Sequence, residues 1–248
     1  MAQITGYIKE TEHSNILDPD FEALYINVRY REKRVLTDCQ LMFLPEIDAN
    51  HLHYREWQVR KRSSERLTNY LAKKNKPLKI LEIGCGNGWL SSKLSAVPGT
   101  RVVGLDINQV EIIQANRVFK KQNLEFIWDS FKPDLFYKAK FDVILFAASI
   151  QYFASLPDVL NDALKCLAEK GEIHILDTHF YKINEISKAE QRTANYYSDL
   201  GYPEMAAHYF HHSLNGFQQF NYKILADPGS LVNRISKKEP FYWIAVTH

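Results

Sequence analysis

Short apolar runs and helix-period segments alternate through the middle of the chain. Residues 78–83 (LKILEI), 101–106 (RVVGLD), 124–128 (LEFIW), 141–147 (FDVILFA) and 171–177 (GEIHILD) are rich in β-branched and aromatic residues and read as buried strands. Between them, 89–97, 109–122 and 157–168 carry apolar residues at helical spacing. Strands alternating with helices make βαβ units with right-handed crossovers, so a parallel sheet covered on both faces is expected, a doubly wound α/β fold. After the fifth strand the pattern changes. Residues 183–212 read as mostly helical, and 219–227 and 240–248 as two strands joined by a loop, which suits an antiparallel closing pair.

Ahead of the first strand, 50–74 is a long helix candidate with Leu52, Val59, Ser63, Leu67 and Tyr70 on one stripe. Residues 1–49 hold Pro19 and Pro45 without a clear period and read as an irregular leader. The remainder, 50–248, reads as one domain: an N-terminal helix (50–74), a core (78–180), a helical cover (183–212) and the closing strand pair (219–248).

Charge and cysteine content narrow the partners. Thirty-one basic against 29 acidic residues leave a formal charge of +2, so no overall field draws the chain to nucleic acid. The basic stretches 29–34 and 55–62 are short and mixed, as solvated faces are. A small-molecule partner is expected, without nucleic acid. Cys39, Cys85 and Cys166 form neither a disulfide framework nor a zinc pattern, and the N-terminus lacks a signal-peptide layout. The longest apolar run, 143–150, is too short to cross a bilayer. Together these point to a cytoplasmic protein. Oligomeric state is not legible.

The candidate chemistry begins at 82–88, EIGCGNG. Gly84, Gly86 and Gly88 follow a strand and precede a helix, where left-handed backbone and close approach of a ligand become possible. That loop would lie at the carboxyl end of the first strand, where open α/β sheets bind ligands, with free N–H groups of the next helix nearby. A dinucleotide fingerprint would need a third glycine at 89, where Trp89 stands. Asp106 closes the second strand 22 positions after the first glycine, placed to take both hydroxyls of a ribose.

In this order and spacing, ILEIGCGNGWLSSKL, VVGLDIN, FIWDSF and FDVILFAASIQYF resemble the motifs of class I S-adenosylmethionine-dependent methyltransferases. The resemblance implies a Rossmann-like, mostly parallel seven-stranded sheet with an antiparallel C-terminal strand, and S-adenosyl-L-methionine as cofactor. It implies that Gly84, Cys85, Gly86 and Gly88 lie against the methionine part, that Asp106 binds the ribose, and that Ile107 packs on the adenine. Asp129, with Ser130 beside it, would accept from the adenine amino group. Backbone near Phe146 and Ala147 would face the methionine ammonium, and Glu82 would hold the loop. Plainer roles stay open: Gly88 as a packing glycine, Asp129 as a loop acid or N-cap.

Methyl transfer from a sulfonium asks for position and a dry site more than for acid or metal. A base helps a hydroxyl acceptor. Tyr152 and His179 are candidates beyond the fourth and fifth strands. Glu204, His208 and His211 or His212 share a face if 202–214 is helical, which could suit a metal, although none is expected. Tyr54, Trp57, Tyr202 and Tyr209 are candidates to cover the acceptor, or simply to complete the core. The stretch AASIQYF lacks the N/D-P-P-Y/F pattern of enzymes that methylate nucleic-acid amines, and is similar to the branch acting on quinones and other small molecules. The expected function is methyl transfer to an O or N atom of a small, partly apolar acceptor. Rival readings are a non-catalytic S-adenosylmethionine-binding protein and an NAD-dependent oxidoreductase.

Overall fold

A computed structural model describes residues 19–137, 139–231, 233 and 239–248. The strands are β1 (Leu78–Ile83), β2 (Thr100–Asp106), β3 (Leu124–Trp128), β4 (Phe141–Ala147), β5 (Leu167–Leu176), β6 (Asn221–Ala226) and β7 (Trp243–Thr247). They form one sheet in the order β3-β2-β1-β4-β5-β7-β6, parallel except for β7, which runs antiparallel to both neighbours. The seven-stranded, doubly wound arrangement expected from sequence is therefore present. Its strand order reverses between β1 and β4, so the crevice for a ligand opens at the carboxyl ends of those two strands.

Alternation along each buried strand divides the core. Val143 and Leu145 of β4 pack with Leu78, Ile80 and Val102 under α3 (Tyr54–Ala72) and α4 (Trp89–Leu94). Ile144 and Phe146 point the other way, onto Leu81, Ile83 and α6 (Leu156–Cys166). Between β2 and β3, α5 (Gln109–Val118) buries Ile112 and Ala115 against Phe126. Side chains at Asn108 and Ser155 cap α5 and α6 by accepting from the third helical N–H, so these helices start where the sequence places a short polar residue.

Two regions depart from the sequence reading. Of the proposed irregular leader, 1–18 lies outside the described residues, but 19–49 contains α1 (Pro19–Arg31) and α2 (Asp38–Phe43). Phe21, Leu24, Tyr25 and Val28 of α1 share one face and pack with Tyr197 and Met205, while Tyr30 on the opposite side is exposed. Leu52 precedes α3 and is 72% exposed, whereas Trp57 is buried against Trp89, rings 5.2 Å apart and edge-to-face. The face of α3 assigned to cover thus takes part in the core. The cover itself is α7 (Ile186–Leu200) followed by a 3-10 turn, Pro203–His208, and not a continuous helix to 212.

Gly88 begins α4 at φ +75°, and a Cβ there would stand 2.4 Å from the Phe126 ring. Gly88→Ala combines left-handed strain with overpacking and is expected to lower stability by about 2–4 kcal/mol, read from urea unfolding.

Candidate active site

Two cavities meet at the glycine loop. The smaller, about 280 Å³, has apolar walls from Leu105, Ile107, Phe131 and Phe153 and a polar edge from Asp106, Asn108, Asp129 and Ser130. Asp106 accepts from the backbone N–H of Gly86 at 2.7 Å and of Asn108 at 2.8 Å, tying the loop to the end of β2. Asp129 accepts from the N–H of Ser130 at 2.7 Å. An apolar slot with acids along one rim suits a flat heteroaromatic ring carrying a diol.

The loop's geometry needs its glycines for different reasons. Gly84 sits at φ +74°, where a Cβ would stand 2.4 Å from that of Ser149, and its N–H donates to Leu105. Gly86, at φ +53°, faces Glu111. Gly88 lines neither cavity and serves packing, the plainer of its two readings. Behind the loop, Glu82 is buried and hydrogen-bonded to the Ser91 hydroxyl of α4. Burial pushes its carboxyl up to about 8, the Ser91 bond pulling down and Asp106 adding to the rise, so Glu82 is neutral at pH 7. Phe146 is fully buried against Phe153 and lines neither cavity, while Ala147 and Cys85 face the larger one.

The larger cavity, about 400 Å³, is bordered by α1, α3 and α7. It shares Tyr25, Gly84, Gly86, Ala148 and Tyr152 with the smaller, so the two form one crevice pinched at the loop. Of the residues read as acceptor cover, Trp57 and Tyr209 line it. Tyr54 does not, and Tyr202 packs behind the wall with Val28, Tyr197 and Met205.

The proposed proton acceptors fare differently. Tyr152 stands at the pinch, but burial raises its pKa, so it remains a phenol. His179 is exposed, its ring 4.4 Å from that of Tyr181, and it lies outside both cavities because the chain turns away after β5. The shared helical face of Glu204, His208 and His211 or His212 does not form: the chain extends at Tyr209, His211 bonds Thr193, and His212 bonds the Ile150 carbonyl.

Sequence reasoning missed two half-buried acids. Asp177 follows β5 at φ +55°, lines the larger cavity and accepts from Ser63 at 2.8 Å. Burial lifts its carboxyl to about 6 against the pull of Arg60. Glu111 in α5 is lifted to about 7 by burial, opposed by Arg29, and its Oε2 has no partner. Asp177 was legible by the rule that picked Asp106, an acid at a strand's carboxyl end.

A family described as a methyltransferase domain matches residues 52–226. This chain belongs to the class I S-adenosylmethionine-dependent methyltransferases. It is 32% identical over 101 residues to the ubiquinone biosynthesis O-methyltransferase of Pelagibacter ubique (strain HTCC1062), covering 40% of this chain and 42% of that one. It is 30% identical over 117 residues to the malonyl-[acyl-carrier protein] O-methyltransferase of Acetivibrio thermocellus, covering 46% and 41%. The aligned stretches span less than half the length of these curated relatives. The plantazolicin methyltransferase BpumL, solved in complex with a pentazolic desmethylPZN analog and SAH, shares the fold, with a TM-score of 0.55 over 92% of this chain and 97% of that chain at 19% identity.

The residues of this methyltransferase fit S-adenosylmethionine. Buried Glu111 Oε2 and Asn108 Nδ2 lack partners beside the loop, and the smaller cavity offers the slot and acids a nucleoside needs. Asp106→Asn is expected to weaken S-adenosylhomocysteine by less than Asp106→Ala, which should lose about 1.5–3 kcal/mol by calorimetry. Stability should also report Glu82. Its unfolded carboxyl releases its proton near the ordinary value of 4.5 and the folded one near 8, so the native state holds the extra proton between them. Stability therefore falls as pH rises from 4.5 to 8, and Glu82→Gln should flatten that part of the profile in urea melts.

Proposed function

We propose that this methyltransferase moves a methyl group from S-adenosylmethionine to an oxygen or nitrogen of a small acceptor held in the larger cavity. The joining of the two cavities at Gly84 and Gly86 carries this reading: one side suits a nucleoside, the other is a separate covered chamber. Asp106, Asp129 and Ile107 would hold the nucleoside, and the loop and Ala147 the methionine part. Bound there, the cofactor supplies a methyl on a cationic sulfur; an acceptor lone pair takes it while the carbon–sulfur electrons return to sulfur, leaving S-adenosylhomocysteine. Trp57, Tyr197 and Tyr209 would exclude water from that point.

Asp177 is the proton acceptor in this reading. With its carboxyl near 6 it is mostly ionised at pH 7, it faces the chamber, and Ser63 fixes its orientation. Its left-handed backbone is the kind of strain that is retained where a side chain must be aimed. The O-methyltransferase names of the two curated relatives support oxygen over nitrogen as acceptor atom.

Calorimetry should show S-adenosylhomocysteine binding and no NADH binding. The reverse would favour the oxidoreductase. Asp177→Asn should keep S-adenosylhomocysteine affinity and lower turnover about 10²–10⁴-fold, measured as S-adenosylhomocysteine release with phenolic acceptors. The parent's rate should rise with pH through about 6, and the variant should lack that limb. Cofactor binding with no turnover on any acceptor would favour the non-catalytic reading.

A further inference from the structure

The larger cavity holds more guanidinium than methyl transfer requires. Arg34 donates to both oxygens of Glu56 at 2.7 and 2.6 Å, and Arg60 donates to the same carboxylate at 3.0 Å. Arg34 also lies 3.1 Å from Glu32, whose other oxygen takes the Tyr196 hydroxyl. Arg29 reaches Glu32 only at 3.9 Å. Three guanidiniums in this ladder thus share two carboxylates. Among the other groups facing the cavity, Glu82 keeps its proton, Glu111 is drawn down by Arg29 and Asp177 by Arg60, while Lys33 and Arg192 are exposed cations at its rim. The cavity is therefore lined by more cations than carboxylates.

Arg29 has one ion pair, the long one to Glu32. Its side chain is 23% exposed, its Nε is buried without a hydrogen-bond partner, and no ion pair joins it to Glu111. One turn earlier on α1, Tyr25 stands at the pinch between the cavities, whereas Arg29 lines the larger one alone. It therefore points into the chamber away from the nucleoside side. In a wall that is otherwise largely polar, Tyr25, Trp57, Tyr197, Met205 and Tyr209 supply aromatic and apolar surface. A guanidinium with free donors in such a wall matches a planar carboxylate on an apolar or aromatic body.

We propose that Arg29 binds the carboxylate of the methyl acceptor, so that the acceptor is a small apolar or aromatic carboxylic acid. The inference rests on the methyltransferase reading of the crevice. Against the cost of burial, Arg29 keeps its charge there, held by the field of Glu111 and Glu32, so it is a cation available to a bound anion.

The test uses the full chain saturated with S-adenosylhomocysteine and three matched pairs of acid and primary amide: 4-hydroxybenzoate, 3-(4-hydroxyphenyl)propanoate and octanoate. Calorimetry should show at least one acid binding tenfold or more tighter than its amide, with the preference lost in Arg29→Gln and partly kept in Arg29→Lys. The proposal is overturned if no acid outbinds its amide, or if Arg29→Gln keeps the preference. A third route concerns the cofactor. If Arg29→Gln weakens S-adenosylhomocysteine tenfold while leaving 5′-methylthioadenosine, which lacks the amino-acid end, unchanged, Arg29 holds the cofactor's own carboxylate and the acceptor assignment fails. Absence of S-adenosylhomocysteine binding to the parent would instead remove the methyltransferase reading itself.

Discussion

The arrangement of the site depends on one carboxylate. Asp106 ends β2 and accepts from Gly86 across the first crossover, so the glycine loop is fixed against a second strand and not only against its own. That bond sets where the loop's left-handed residues lie. The Ser149 hydroxyl does the same on the other side, donating to the Ile83 carbonyl at 2.6 Å, so the ends of β1 and β4 are held together where the sheet's winding reverses. The crevice is therefore made by rigid strand ends, and the cover is added to it.

That cover is of a different physical kind. The sheet's two faces are closed by aliphatic and aromatic packing, while α1, α3 and α7 meet over the larger cavity through shared ion pairs and tyrosines. Arg34 bridges Glu56 of α3 and Glu32 beyond α1, and the Tyr196 hydroxyl of α7 closes on Glu32. Such contacts fix relative position while keeping polar groups facing a chamber, and they yield less stability than the same area of apolar packing. An element that has to admit an acceptor is suited to this weaker closure.

Much of the frame could be read from the chain. Residues 78–83, 124–128 and 141–147 are strands at the bounds read from pattern, because each is a short run of β-branched and aromatic residues between turn signals. The motif acids Asp106 and Asp129 both line the smaller cavity, since the last residue of a strand and the one after it reach the crevice whatever packs elsewhere. α1 went unread although Phe21, Leu24, Tyr25 and Val28 carry helical spacing, a stripe that covers only two turns.

What the sequence determined by itself was the winding of the sheet and the place and kind of the cofactor half of the crevice, because strand period, glycine spacing and a strand-end acid are local signals. Only the tertiary structure decided the acceptor half. Asp177, Glu111 and Arg29 come from three separate segments and meet in the larger cavity, where burial and the charges of neighbouring helices set their state, neither of which has a period or a spacing along the chain. The same dependence removed His179, whose position after β5 was right by sequence and whose side chain the turn carried outward.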